Sequence, residues 1–217
     1  MAIRPVFEVL EDEKLFARCD VEFTWTDGRT TGKVRKNIQA LHENYLAAHP
    51  DKKVLEISTK SADELGQKLS AFNLMIRAGV SFESAYQGSK VFQRGGPYTN
   101  IIGKPAVYAK SDARLKNSGP IIGYSFEGKD YPNDPPTFFY NWFYITTLAA
   151  DEDLAAELLV QKFDAFTDIA FNPDKGKVNC QAEAVAIFVS LSRQNLLDDA
   201  LADEKNFLRI VYSTDCE

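Results

Sequence analysis

Histidine and cysteine are scarce in this chain of 217 residues, which has two of the first and three of the second, Cys19, Cys180 and Cys216. The cysteines are odd in number, far apart and without a Cys-x-x-Cys spacing. Neither a disulfide framework nor a zinc site is indicated, and no metal or cofactor is expected. No run of 18 apolar residues occurs, and the opening MAIRPVFEVLEDEK lacks the charged, apolar and small-residue zones of a secretory signal, so the expected location is the cytoplasm. Positive charge is in deficit: 25 Lys and Arg stand against 31 Asp and Glu, a formal net charge of −6. That argues against phosphate-backbone binding by the whole surface and leaves room for a local basic patch. There is no Gly-rich phosphate loop, no Gly-x-Ser-x-Gly and no supported Cys/His pair, which disfavours a kinase or a nucleophilic hydrolase.

What is present suffices for one full core. With 45% hydrophobic and 12% aromatic residues, the chain reads as a single domain over 1–217, of α+β class, mainly helical with a small peripheral β-sheet. Alternating apolar residues predict strands over Arg4 to Leu10 and Leu15 to Trp25. Helical spacing predicts an amphipathic helix over 34–48, ended by Pro50. The near-continuous apolar runs after Thr137 and Asn179 predict two core helices. The segments 1–33 and 205–217 are expected to supply peripheral strands, the second through FLRIVY, whose Phe207, Ile210 and Tyr212 would otherwise be exposed.

The most informative stretch is VSFESAYQGSKVFQRGG, Val80 to Gly96. A helix through it gathers Glu83, Gln87, Lys90 and Arg94 into one polar stripe beside Phe82, Ala85, Tyr86 and Ser89. Ser81 is placed to cap its start, and Glu83 in the first turn suits the positive end of the helix, which an ordinary surface helix explains equally well. Gly88 in mid-helix costs about 1 kcal/mol relative to Ala and predicts a close approach to the backbone there.

Other positions admit two readings each. Glu56, Ser58 and Lys60 share one face of a strand, turned either into a polar pocket or into solvent. Ser61 with Glu64 reads as a capping box. Asn73, just before the key helix, either meets a ligand's ribose or closes a turn. Lys110 and Arg114, four apart on a short helix near Ala106 to Leu115, either contact a diphosphate or form a solvated basic face. Lys33, Arg35 and Lys36 read as a solvated cluster, and His42 as a packed residue. Most aromatics from Phe138 to Tyr144 are core, with one or two free to stack a base at a pocket edge, Trp142 being the candidate. Asn179 is a good N-cap for the helix after it. Asp168 lies between apolar neighbours and needs a partner, for which Lys90 is the candidate.

The order Ser-x-Glu followed by Gln, Lys and an aromatic in residues 81–92 resembles the signature helix of the NADAR superfamily, which includes YbiA-type N-glycosidases. The segment LSAFNL, Leu69 to Leu74, and the run DAFTDIAFNPDKGKVNCQAEAVAIFVSL are similar to its other motifs, with Ala71 where Asn is usual and Ser84 where His is frequent. The stretches RPVFEV, LEISTKS, GSKVFQRGGPY and FNPDKGKVNCQA resemble the branch associated with DarT-type DNA ADP-ribosyltransferases as their antitoxin. The resemblance implies an N-glycosidase that removes ADP-ribose from guanine in DNA, with a DarT-type toxin as functional partner and ADP-ribose as product. Activity on phosphoribosyl-linked riboflavin intermediates and a non-catalytic ADP-ribose or NAD module are the alternatives. Under this reading the catalytic candidates are Glu83, Lys90 and Asp168, and the substrate-binding candidates are Ser58, Asn73, Tyr86, Gln87, Lys110, Arg114, Trp142 and Asn179. Glycosidic cleavage needs a stabilised sugar cation and a protonated leaving base, which carboxylates with an amine can supply. Lys90 either orients and protonates or attacks C1 as an amine.

Overall fold

The computed structural model describes residues 1–212. The chain opens with β1 (Ala2–Val9) and β2 (Phe16–Phe23), an antiparallel hairpin in which Ala2 faces Phe23 and Val9 faces Phe16. Helix α1 (Thr31–Ala48) follows, capped by the Thr30 hydroxyl, which accepts from the Lys33 amide. Next come β3 (Val54–Glu56), α2 (Glu64–Lys68), β4 (Met75–Arg77), β5 (Val80–Ser81) and α3 (Phe82–Ser89). The middle of the chain contains β6 (Lys90–Phe92), α4 (Ala106–Ser111), α5 (Arg114–Asn117), β7 (Ile121–Phe126) and β8 (Lys129–Pro132). It closes with α6 (Phe138–Ala150), α7 (Glu152–Val160), β9 (Ala165–Thr167), α8 (Gln181–Arg193), α9 (Leu197–Leu201) and α10 (Glu204–Tyr212). Helix predominates over small sheets, an α+β fold.

The largest sheet has the order β2-β1-β9-β3, with β9 antiparallel to β1 and parallel to β3. Strand alternation divides the core. Phe7, Phe166 and Leu55, which face one another across the ladder, turn toward α6 and α8. Val6 and Ala165 turn the other way and meet Ile38, Leu41 and Tyr45 of α1. Both faces of β1 and β9 are covered, so Arg4 to Phe7 and Ala165 to Thr167 read as unbroken buried runs.

Four expectations are corrected. The helix of the key stretch ends at Ser89: Lys90 is extended (φ −63°, ψ 126°) and begins β6, paired with Tyr124. Ladder bonding to β7 takes the backbone that a longer helix would need, and Arg94 falls in a turn, where it donates to the Asn117 carbonyl. Ser61 is not the cap of α2. Asp63 is, its carboxylate accepting from the Leu65 amide at 2.8 Å, while the Ser61 hydroxyl accepts from Asp63. The helix expected over 106–115 is broken at Asp112, which adopts an extended conformation (φ −58°, ψ 125°). Finally, 204–212 is a helix and adds no strand to the sheet. Helix α10 buries Phe207 against Phe138 and Trp142, which removes the apolar surface that motivated the strand. The rest of that predicted strand, 213–217, and Cys216 lie outside the described residues.

Two expectations about the key stretch hold, alongside the opening hairpin, the 34–48 helix and the two apolar helices. Ser81 caps α3, its hydroxyl accepting from the Ser84 amide. A Cβ on Gly88 would lie 2.4 Å from Ile102 Cγ1, so the backbone approach there is as close as the glycine suggested.

Candidate active site

A cleft of about 630 Å³ opens beside α3, walled by the 58–60 loop, residues 70–72, the chain leaving β9 at 168–170 and the segment 176–181. Its shape depends on Gln181 at the start of α8, whose side-chain oxygen accepts from the Ala71 amide (2.8 Å) and whose amide donates to the Ile57 carbonyl. This one buried side chain ties β3, the 70–72 segment and α8 together. Every residue of α3 is buried, Glu83 at 4% and Gln87 at 7% exposure, so the polar stripe is not a solvated helix face.

The stripe is wired in a definite order. Lys110 Nζ lies 3.2 Å from Glu83 Oε1, and Gln87 Nε2 donates to the same oxygen at 2.8 Å. Lys90 Nζ donates to Gln87 Oε1 at 2.8 Å. Gln87 therefore stands between the carboxylate and the second amine. The Lys90 ammonium also sits 4.5 Å from the centre of the Tyr86 ring, and that of Lys110 4.8 Å from the Phe72 ring. Burial pushes the Lys90 pKa down to about 8, outweighing the attraction of Glu83, and the charge of Lys110 pushes the same way as burial.

Behind the amine, the buried Tyr86 hydroxyl accepts from Asn179 Nδ2 at 2.6 Å and lies 3.4 Å from the Tyr124 hydroxyl. Burial holds the Tyr86 phenol well above its usual range, so it stays neutral. The other amide atom, Asn179 Oδ1, is buried with no hydrogen-bond partner among the described residues, a condition that costs about 1–3 kcal/mol unless a ligand relieves it. Asn179 is thus committed to the cleft, and Cys180 occupies the N-cap position of α8 with no side-chain bond.

On the far wall, Asp168 accepts from the Ala170 amide at 3.0 Å. Burial raises its pKa, opposed by that amide, by Lys110 and Lys177, and by Gln181. Its cationic neighbours are accordingly Lys110 and Lys177, and Lys90, the partner expected from the sequence, makes no ion pair with it among the described residues. Beneath the wall, Glu56 is buried and accepts from Thr167 Oγ1 (2.6 Å) and from the Ile169 amide (3.0 Å). Burial, followed by the charge of Asp168, raises its pKa. On the α1 side, His42 Nε2 lies 2.8 Å from Thr167 Oγ1, and burial lowers its pKa to about 4, so the ring is neutral and packed.

Of the candidates read from the sequence, the cleft gathers Glu83, Lys90, Asp168, Ser58, Tyr86, Gln87, Lys110 and Asn179. Three lie elsewhere. Asn73 is exposed, donates to the Gln67 carbonyl and lines a different hollow. Arg114 turns back on Asp112 and Asn100, because the break at Asp112 rotates it off the Lys110 face. Trp142 packs edge-on against Phe207, with ring centres 5.3 Å apart, and Tyr140 is the α6 aromatic that reaches the cleft. Lys177 also lines the cleft and was missed, since a lysine in a Lys-Gly-Lys turn carries no periodic signal. None of the lining residues is a histidine or cysteine. Away from the cleft, Glu8, Cys19 and His49 bring an oxygen, a sulfur and a ring nitrogen within 4.8 Å of one another, and the Tyr45 hydroxyl already engages Glu8.

A family model described as DarT1-associated NADAR antitoxin matches residues 2–217. The chain belongs to that family. No curated protein matches it. Membership pairs this NADAR protein with a DarT1-type toxin. Among the described residues, no helix is long and apolar enough to cross a membrane.

Proposed function

We propose that this NADAR protein is an N-glycosidase that removes ADP-ribose from guanine in DNA and so reverses the modification made by its toxin. The observation that carries the reading is the Lys90–Gln87–Glu83–Lys110 chain in a walled cleft, in which one amine has its pKa lowered to about 8 while a carboxylate stands one side chain away. An amine with that pKa is about one-tenth neutral near pH 7, enough to act as a nucleophile toward a carbonyl-like carbon. Membership of the DarT1-associated branch supports the DNA lesion over a riboflavin intermediate as substrate.

In the route this favours, the C1–O bond of the ribose ring opens and the oxygen takes a proton. The neutral Lys90 amine adds to C1, the base departs with a proton, and water hydrolyses the lysine–sugar imine to release ADP-ribose. Glu83 carries protons between these steps, with Oε1 already held by Gln87 and Lys110. Tyr86 supplies a neutral ring beneath the ammonium, and Asp168 faces the developing cation from the opposite wall. The cytoplasm is the expected place of action.

The test is incubation of the purified protein with oligonucleotides carrying ADP-ribosyl-guanine or ADP-ribosyl-thymine, with release of ADP-ribose followed by mass spectrometry. Release from the guanine adduct alone supports the proposal. Release from neither would overturn it.

A further inference from the structure

Away from the cleft, one of the two histidines and one of the three cysteines meet a carboxylate, and none of the three residues lines the cleft. In the β1–β2 ladder Val6 faces Cys19 and Glu8 faces Ala17. Residues two apart share a face of a strand, so Glu8 and Cys19 lie diagonally on the side that meets α1. His49 is the C-cap of α1, where its amide donates to the Leu46 and Tyr45 carbonyls, and its ring stacks on Tyr45 with centres 4.6 Å apart. Three separate elements therefore bring a Glu8 oxygen, the Cys19 sulfur and a His49 ring nitrogen within 4.8 Å of one another, with His49 Nε2 3.8 Å from Glu8 Oε1.

The surroundings favour a cation there. The Glu8 side chain is 19% exposed and that of His49 36%, so the trio is partly removed from water yet open to an ion. Among the described residues no lysine or arginine pairs with Glu8, and Asp20 and Asp164 add negative charge beside Cys19 and Tyr45. The buried Tyr45 hydroxyl donates to Glu8 Oε1 at 2.9 Å and so orients the carboxylate from outside the trio, as partners of metal ligands do. That bond and the His49 contact account for the carboxylate without a metal, but they give the thiol no part. Sulfur, imidazole nitrogen and carboxylate oxygen together are the donor set of zinc, whereas calcium and magnesium take oxygen alone. Bonds of about 2.0–2.3 Å in a tetrahedral site put ligand atoms roughly 3.3–3.7 Å apart, which small rotations of the Glu8, Cys19 and His49 side chains reach.

We propose that Glu8, Cys19 and His49 form a Zn²⁺ site that fastens the end of α1 to the β1–β2 hairpin, with water in the fourth position. On binding, the Cys19 thiol gives its proton to solvent and its sulfur bonds the metal, while Glu8 binds as carboxylate and His49 as neutral imidazole, with no change of oxidation state. The ligands stand at positions 8, 19 and 49, so no Cys-x-x-Cys spacing announces them and only the packing of α1 on the hairpin assembles them. The site stabilises the folded chain, because the unfolded one does not hold the three groups together.

The test needs no turnover and is independent of the glycosidase reading. The full chain, reduced and freed of metal by a chelator, is titrated with Co²⁺ as a coloured stand-in for zinc. The expected result is a thiolate-to-cobalt charge-transfer band that saturates at one ion per chain and disappears when Zn²⁺ is added. Cys19→Ser should abolish the band, and Glu8→Gln and His49→Ala should each weaken binding at least tenfold. Tyr45→Phe, which keeps the packed ring and removes only the hydroxyl, should weaken it by about tenfold. Zn²⁺ at about a hundredfold excess over its Kd should raise the wild-type Tm by roughly 5–10 °C and leave that of Cys19→Ser unmoved. Circular dichroism and melting without metal establish that each variant is folded before its affinity is compared. No band in the wild type, a band retained in Cys19→Ser, or binding unchanged in both Glu8→Gln and His49→Ala would overturn the proposal.

Discussion

Two hollows flank the segment that leads into α3, and they differ in what they do to similar side chains. One, of about 480 Å³, is lined by Glu64, Gln67, Lys68, Asn73, Asp151, Asp153 and Glu157. Its charged groups lie near water, and the ion pair of Lys68 with Glu157 joins side chains about two-fifths exposed, the kind worth little to stability. The other hollow holds Glu83, Lys90, Asp168 and Tyr86 against buried walls, and there burial shifts pKa values and leaves an amide oxygen unpaired. Charged residues in a hollow are therefore not enough to mark a site. Removing them from water without fully pairing them is what changes their chemistry.

The largest effect that sharpens this contrast is loss of the wired groups. Lys90→Ala and Glu83→Gln should each lower kcat by roughly 10²–10⁴-fold, measured as ADP-ribose release, with Lys90→Ala the more severe if the amine bonds to C1. Borohydride added during wild-type turnover should then leave a lysine–sugar adduct visible by intact mass. No adduct alongside an inactive Lys90→Ala would return the non-covalent route to first place.

Next in size is the unpaired oxygen. If bound substrate donates to Asn179 Oδ1, Asn179→Ala should lower kcat/KM by about 5–150-fold, the equivalent of 1–3 kcal/mol. An unchanged kcat/KM would mean that the orphan acceptor serves no ligand.

The pH profile is a third way to break the contrast. If Lys90 attacks C1 it does so as the neutral amine, and kcat should then climb as pH rises toward about 8 and level above it. The positive charge of Lys110 helps hold that value down, so Lys110→Ala should move the limb to higher pH. A profile that falls above pH 8 would instead indicate that protonated Lys90 is the active form.

The smallest effects are expected outside the cleft. Asn73→Ala and Arg114→Ala should change KM and kcat less than about twofold, because Asn73 faces the exposed hollow and Arg114 is engaged by Asp112 and Asn100. A large KM rise in Arg114→Ala would restore that residue to diphosphate binding.

Most of the fold and a good part of the site were legible because local rules governed them. The 34–48 helix, the hairpin at the start and the two apolar helices follow from period and punctuation, and Gly88 announced a close contact that Ile102 makes. Glu83, Gln87 and Lys90 were legible as one group because three of the four residues of the polar stripe fall on a single short helix and its end, Arg94 lying beyond it. The misses share a cause. Phe207 looked like strand surface because nothing local reveals that Phe138 and Trp142 cover it. Asn73 and Arg114 looked equivalent to Asn179 and Lys110 because residue type says nothing about direction.

The sequence by itself determined most of the elements, the burial of α3 on its apolar side, the family and the chemical types available for a reaction. The tertiary structure decided which of those groups meet. It brought Lys110 from α4 to Glu83 and Asp168 from the end of β9 to the facing wall. The physical reason is that periodicity acts over a few residues, whereas desolvation and charge coupling act between groups close in space. Here those groups are contributed by segments as far apart in the chain as residues 34 and 181.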